Sequence, residues 1–160
     1  MTNIEIQQML ESERWPIRNG LYFPDGRVIL LSVLMPWEVA NESVSVTITN
    51  TVTIDEIEEI KSDYMTDCIW KNEQRYEGMN LCVSPGEGSW GSEGLVAVTQ
   101  MSTGQLVWLL YLDCSNPFET ALLANGVVTA VSNLGHTWRL PLAHPETLTV
   151  SVPPREMTRQ

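Results

Sequence analysis

Runs of β-prone residues separated by turn dipeptides dominate the chain. Residues 28–34 are almost entirely apolar, which is typical of a central strand covered on both faces. Residues 20–23 precede them across the turn Pro24-Asp25-Gly26, so the two runs predict a β-hairpin. Residues 44–48 alternate with period two, which indicates a strand with one buried face. Further strands are predicted over residues 95–100, 105–113, 127–132, 137–142 and 147–152.

Two short amphipathic helices are also predicted. The first begins near Thr2, which has capping-box spacing to Glu5, and apolar residues then recur at helical spacing. The second begins after Thr53, whose capping-box partner is Glu56. Its apolar face is formed by Ile57, Ile60 and Tyr64.

Together these patterns predict an α+β fold that is mainly antiparallel β. Residues 20–50 and 94–133 share an order of features: a hairpin that starts at glycine, a Pro-aromatic-Glu-x-Ala segment, and an alternating strand. We therefore expect two related β-meander halves, with a short N-terminal helix before them and an acidic helix between them. A single compact domain is expected over residues 1–152, followed by a frayed C-terminal tail over residues 153–160.

Composition and charge narrow the classes of function. The chain has 160 residues, of which 43% are hydrophobic, and it carries 20 acidic against 9 basic residues, a net charge of −11. Such an acid excess argues against nucleic-acid binding, which requires cations that neutralise phosphates. The longest apolar stretch, residues 106–112, is too short to span a bilayer, and no signal peptide is recognisable, so we expect no membrane association and a cytoplasmic location. The three cysteines are expected to be reduced and mostly buried.

Acidic residues are most concentrated in residues 55–67, which carry six acids and one base. We call these residues the acidic segment. One interpretation is a solvated face that keeps the protein soluble. The other, which we favour, is an electrostatic docking surface for a basic protein partner, formed by Asp55, Glu56, Glu58, Glu59 and Asp63.

A glycine-rich stretch, residues 84–94, places Trp90 at its centre. It lacks the Gly-Lys-Ser/Thr of a phosphate-binding loop and carries Glu87 and Glu93 instead, which would repel a phosphate. A mobile loop is therefore predicted. Trp90 either anchors a partner or folds back onto the sheet, and the sequence leaves both open.

No catalytic or metal-binding constellation is evident. His136 and His144 are the only histidines, and neither has the spacing of a metal ligand. Cys114 could pair with either histidine, but no oxyanion-hole loop accompanies it. We therefore expect no metal, no cofactor and no enzymatic activity.

Two segments of the chain carry a resemblance to a known family. They are residues 86–94, which lead into a strand, and the strand at residues 106–112, which runs into Asp113-Cys114-Ser115-Asn116-Pro117-Phe118. Both segments resemble the immunity proteins of bacterial polymorphic-toxin and contact-dependent growth inhibition systems. The small acidic build of the chain is similar too. The resemblance implies a non-enzymatic cytosolic inhibitor that binds a cognate toxin domain, often a basic nuclease. With it, Glu87, Trp90 and Glu93 join the acidic segment as expected partner-binding residues.

Two other classes of function remain open at this point. A small hydrolase or ligand-binding domain would have a cleft between the two β halves, with His136 or Cys114 beside a carboxylate. A structural or oligomer-forming module of phage or secretion machinery would expose a large apolar surface. The oligomeric state is not predicted.

Overall fold

A computed structural model describes residues 3–37 and 43–153. It has two α-helices, α1 (Ile4–Glu11) and α2 (Glu58–Lys61), and short 3-10 turns at Ile54–Glu56, Glu77–Met79 and Pro145–Thr147. The strands of the first half are β1 (Arg14–Pro16), β2 (Gly20–Tyr22), β3 (Arg27–Leu34), β4 (Ser45–Thr53), β5 (Met65–Asp67), β6 (Ile69–Trp70) and β7 (Gln74–Tyr76). The remaining strands are β8 (Leu81–Glu87), β9 (Gly94–Gln100), β10 (Leu106–Leu112), β11 (Phe118–Ala124), β12 (Val127–Ser132), β13 (Thr137–Pro141) and β14 (Thr149–Ser151).

The strands form three sheets, and every strand pair in the described residues is antiparallel. The large sheet has the order β4-β3-β2-β10-β9-β8-β6, with β7 also paired to β8. The small sheet has the order β11-β12-β13-β14, and β1 pairs with β5 alone. A mainly antiparallel β protein with few helices is therefore confirmed.

The predicted hairpin is present as β2 and β3, in which Tyr22 pairs with Val28. Gly26 closes the turn at a φ of +92°, a backbone conformation that favours glycine. Residues 28–31 of β3 are all buried, which confirms the central strand. Helix α1 is confirmed too, but its N-cap is Asn3, whose Oδ1 accepts a hydrogen bond from the Ile6 N–H at 3.0 Å. The predicted capping residue, Thr2, lies outside the described residues.

The glycine-rich stretch is shorter as a loop than its sequence predicts, because β8 continues through Glu87. Pro85 lies within β8 opposite Val96, and its carbonyl accepts a hydrogen bond from the Lys71 N–H at 2.8 Å. Since N and C=O of one residue point to the same side of an antiparallel strand, the missing proline N–H lies on the β6 side, and the β8–β9 ladder loses no hydrogen bond. Ser84-Pro85-Gly86 therefore fits a strand despite its turn-like composition.

The two segments with similar feature order are arranged differently in the sheets. In the first, β2, β3 and β4 are neighbours in the large sheet. In the second, β9 and β10 belong to the large sheet, whereas β11 and β12 belong to the small one. Residues 38–40 of the Pro-aromatic-Glu-x-Ala motif lie outside the described residues, as do residues 154–160 of the predicted tail. The relation between the two halves stays a prediction.

Both faces of the large sheet are covered at its central strands, whereas the edge strand β4 is mostly exposed. One face packs against the small sheet, where the rings of Phe118 and Trp138 meet edge to face with centroids 6.1 Å apart. The opposite face is covered by α1, β1 and the residues around Ile54 and Ile57. Strand β10 contributes to both cores, with Trp108, Leu110 and Leu112 on the first and Leu106, Leu109 and Tyr111 on the second. No helix within residues 3–37 or 43–153 is long and apolar enough to cross a membrane.

Shortening a single side chain of β10 tests whether both faces of this strand are buried. We expect Leu110→Ala to lower the free energy of unfolding by about 2–5 kcal/mol, because Leu110 is fully buried and its truncation leaves a cavity. Leu122→Ala is the matched control, since Leu122 is 53% exposed and its truncation should change stability by less than about 0.5 kcal/mol. Urea denaturation of both variants makes the comparison, and equal losses would contradict the packing described.

Candidate functional site

The acidic segment is not one continuous helix face. Residues 54–56 form a 3-10 turn that is tied to the β2–β3 hairpin by a hydrogen bond from the Ile54 N–H to the Gly26 carbonyl at 2.7 Å. The capping box is present, and the Glu56 carboxylate accepts from the Thr53 N–H at 3.4 Å. The acidic helix is a single turn, α2, and the segment then ends as β5. Burial of Ile54 and Ile57 against the large sheet explains why the chain follows the sheet instead of extending as a helix.

Arginines from the β1 region partly neutralise this segment. Three of its acids form ion pairs: Glu59 with Arg18 at 3.1 Å, Asp63 with Arg14 at 3.3 Å, and Glu58 with Lys61 at 3.4 Å. Asp55 and Glu56 are exposed near the β2–β3 turn, away from β5. The net negative charge of the acidic segment is therefore smaller than six acids and one base would give. Its charged groups are spread along the chain from the β2–β3 turn to β5.

Residues 88–93, which we call the Trp90 loop, connect β8 and β9. The side chain of Trp90 is 60% exposed, so it does not fold back as a lid on the core. Glu93, three residues later, is only 1% exposed. Glu93 was expected among the partner-binding residues, but at this burial its carboxylate offers almost no surface to a partner.

The buried Glu93 carboxylate is the centre of a hydrogen-bond network. Its Oε1 accepts from Thr66 Oγ1 at 2.7 Å and from the Trp90 N–H at 3.0 Å. Its Oε2 accepts from the Tyr111 hydroxyl. These donors come from β5, the Trp90 loop and β10, so one carboxylate joins three parts of the fold. Several hydrogen bonds offset the cost of burying the charge.

Further contacts tether the Trp90 loop. The Ser89 N–H donates to Thr66 Oγ1 at 2.9 Å, and the Asn116 N–H donates to the Ser92 carbonyl at 2.8 Å. A Cβ atom at Gly88 would collide with the Glu93 carboxylate, so glycine is required there. The loop was expected to be mobile, but it is held at both ends and at its centre.

Trp90 and Tyr64 line an open cleft of about 260 Å³, which we call the Trp90 cleft. The other lining residues are Ile17, Ser92, Glu93, Tyr111 and Asp113. Tyr64 was expected to pack on the helix face, but it is 55% exposed, because the chain turns from α2 into β5 at this point. The end of the acidic segment and the Trp90 loop are thus brought together.

Two polar groups at the edge and floor of the cleft are well defined. The Asp113 Oδ1 accepts from Asn19 Nδ2 at 3.1 Å, and the Asp113 N–H donates to Asn19 Oδ1 at 2.7 Å, which fixes the Asp113 side chain. Burial, followed by the hydrogen bond to Glu93, raises the pKa of Tyr111 far above its ordinary value. The phenol therefore stays protonated and remains a donor to Glu93.

Glu87 lies apart from the cleft. It is half-buried at the end of β8, and its Oε1 is 3.7 Å from the Lys71 ammonium, which also contacts the Glu119 carboxylate at 3.2 Å. Of the residues expected to bind a partner, the structure therefore brings Trp90 and Glu93 to one site, while Glu87, Asp55 and Glu56 lie elsewhere.

The candidate nucleophile and bases are not arranged as a catalytic set in the described residues. Cys114, the candidate nucleophile, is half-buried and packs against the core beneath the small sheet. Burial raises the pKa of another thiol, that of Cys68, to about 12, so Cys68 is protonated at neutral pH. His136 is buried, and burial lowers its pKa. Neither the Trp90 cleft nor a second cleft beside α1, lined by Ile4, Gln7, Gln8, Glu11 and Gln105, is lined by histidine or cysteine. No group of three or more His, Cys, Asp or Glu side chains in the described part of the chain could hold a metal ion.

No family model, curated protein or solved structure matches this chain, so its function has to be inferred from the geometry of its own surface.

Removal of the Glu93 carboxylate tests the network. We expect Glu93→Ala to lower the free energy of unfolding by about 2–4 kcal/mol, because the Tyr111 hydroxyl, the Thr66 hydroxyl and the Trp90 N–H lose a charged acceptor. Glu77→Ala, at an exposed glutamate, should change it by less than about 0.5 kcal/mol. If chemical denaturation gave the same small change for both variants, Glu93 would not organise the loop.

Proposed function

We propose that the protein is a bacterial immunity protein: a non-enzymatic, cytoplasmic binding protein that neutralises a cognate toxin domain with a basic surface, such as a nuclease. The observation that carries this proposal is the exposed Trp90, held on a tethered loop beside the exposed Tyr64. Large aromatic side chains are enriched at protein interfaces and often supply most of the binding energy.

Tethering of the loop favours tight binding. Association costs free energy when loops and side chains must be ordered at the interface. The Trp90 N–H is already bonded to the buried Glu93 carboxylate, and the neighbouring Ser89 N–H to Thr66, so little of this backbone has to be ordered on binding. A preorganised aromatic anchor is what a high-affinity inhibitor requires.

Charge around the anchor favours a basic partner. Asp113 lines the cleft, and Asp67 accepts a hydrogen bond from the Ser89 hydroxyl within the Trp90 loop at 3.0 Å. The net charge of −11 adds a long-range attraction to a cationic protein, which acts mainly on the rate of association. The acidic segment adds six acids against one base, but Glu58, Glu59 and Asp63 are ion-paired, so each attracts a cationic partner less than an unpaired carboxylate would.

Replacement of the anchor is the first test. With the cognate toxin domain that this proposal requires, Trp90→Ala should accelerate dissociation by about 30-fold, the effect of losing about 2 kcal/mol at an interface hot spot. Protection of cells that express the toxin should fall with it. Trp37→Ala is the matched control, because Trp37 is 62% exposed and does not line the cleft.

Surface plasmon resonance gives the rates for both variants. Unchanged dissociation for Trp90→Ala would remove the loop from the interface. A loss confined to Trp37→Ala would place the binding surface elsewhere and contradict the proposal.

Charge reversal tests the electrostatic part separately. We expect Glu58→Lys combined with Glu59→Lys to slow association by about tenfold at low salt and to flatten its salt dependence, with a smaller effect on dissociation. The control, Glu11→Lys with Glu77→Lys, makes the same change in net charge at two exposed positions outside the Trp90 cleft. Equal slowing by both pairs, measured by stopped-flow fluorescence, would mean that net charge matters and the acidic segment does not.

A further inference from the structure

We infer that the Trp90 cleft receives a single cationic side chain, an arginine, from the partner. This inference rests on the proposed function, because it names the chemical group that the binding surface recognises. It is carried by the walls of the cleft, by its charge and by its size.

The walls suit a guanidinium group. Trp90 and Tyr64 are both more than half exposed and line the same cleft, and cations bind to the faces of such rings, tryptophan being the strongest partner. An arginine guanidinium is planar and stacks on aromatic faces, which the compact, strongly hydrated lysine ammonium does less well. Ile17 supplies an apolar contact for the methylene groups of the incoming side chain.

The charge of the cleft is negative and is not balanced from within. Its seven lining residues include two carboxylates, Glu93 and Asp113, and no lysine, arginine or histidine. Both Glu93 oxygens already accept hydrogen bonds, so Glu93 contributes charge rather than a contact. Asp113 is exposed, and among the described residues the contact to its carboxylate is the one from Asn19 to Oδ1, so Asp113 is the carboxylate that an incoming cation would meet.

The nearby arginines of this chain already form ion pairs with its own acids. Arg14 and Arg18 pair with Asp63 and Glu59 at 3.3 and 3.1 Å, and neither lines the cleft. The cleft therefore has the surroundings of a cation site, and no lysine or arginine of residues 3–37 or 43–153 lines it.

The size of the cleft admits a single side chain. Its volume is about 260 Å³, near the lower end of the roughly 300–1,000 Å³ that is typical of small-molecule pockets. A side chain delivered by a larger interface needs no more room than this, because the remainder of the binding energy comes from contacts outside the cleft.

Nuclear magnetic resonance titration of the full chain tests this chemistry without the toxin. The probes are N-acetyl-arginine methylamide, the equivalent lysine compound, and the equivalent citrulline compound, which has nearly the same shape but no charge. We expect the arginine probe to shift the Trp90 indole N–H and the backbone amides of residues 88–93 in a saturable manner at millimolar concentration. The lysine probe should bind more weakly, and the citrulline probe should produce no saturable shift.

Two variants give the matched comparison. Asp113→Asn should weaken binding of the arginine probe by about three- to fivefold, the effect of losing one partly exposed ion pair. It keeps a side-chain oxygen that can accept from Asn19, so the fold should be retained, and the unchanged remainder of the spectrum verifies this. Asp55→Asn, at an exposed acid outside the cleft, should leave the affinity unchanged.

Equal responses to arginine and citrulline, or to arginine and lysine, would overturn the inference, as would shifts that avoid the Trp90 loop. Those results would leave the proposed function standing if Trp90→Ala still released the toxin domain. Saturable arginine binding together with full protection by Trp90→Ala would instead retain the cation site and contradict the proposed function.

Discussion

Strand β10 has to be covered on both faces, and the rest of the structure follows from that requirement. Its side chains from Leu106 to Leu112 are all buried except for the partly exposed Val107, and they alternate between two cores. The small sheet covers one face, and α1, β1 and the 54–57 turn cover the other. The elements that cover the second face lie over the Tyr111 side of β10. Their edge lies where Tyr64 and β5 meet the Trp90 loop. The candidate site is thus a consequence of how the central strand is buried.

Local patterns were sufficient for much of the fold. The apolar run of β3, the Pro24-Asp25-Gly26 turn and the spacing of α1 each encode their structure within a few residues. Strands β1, β5, β6, β7, β8 and β11 were not predicted, since most are short or carry turn-like residues. Pro85 is the clearest case. Its place in β8 depends on which neighbouring strand its missing N–H faces, and the order of strands in the sheet decides this. The acidic segment looked helical because Glu and Ile recur at helical spacing, but burial of Ile54 and Ile57 outweighed this weak propensity.

The candidate site was accessible to sequence reasoning only in part. Trp90 was found because tryptophan among glycines is an unusual combination, and its exposure agrees with one of the two interpretations left open. The network around Glu93 has no local signal, since Thr66 and Tyr111 are 27 and 18 residues away along the chain. The single available indication was that Tyr111 shares a face of β10 with Leu109. Pairing of Asp63 with Arg14 likewise depends on the β1–β5 contact, which no periodicity reveals.

Glu87 and Glu93 look alike in the sequence, flanking a glycine-rich stretch, yet they act in different ways. Glu87 is half-buried and shares the Lys71 ammonium with Glu119, an arrangement that joins β8 to β11. Glu93 is buried, no salt bridge joins it to a cation within residues 3–37 and 43–153, and hydroxyl and amide donors stabilise its carboxylate. A neutral donor set leaves the negative charge in place, so the carboxylate can fix the Trp90 loop and still make the cleft beside it attractive to a cation. An ion pair at the same position would fix the loop equally well, but its cation would cancel the negative electrostatic potential of the carboxylate in the cleft. The use of neutral donors therefore links the stability of the loop to the proposed recognition of a basic partner.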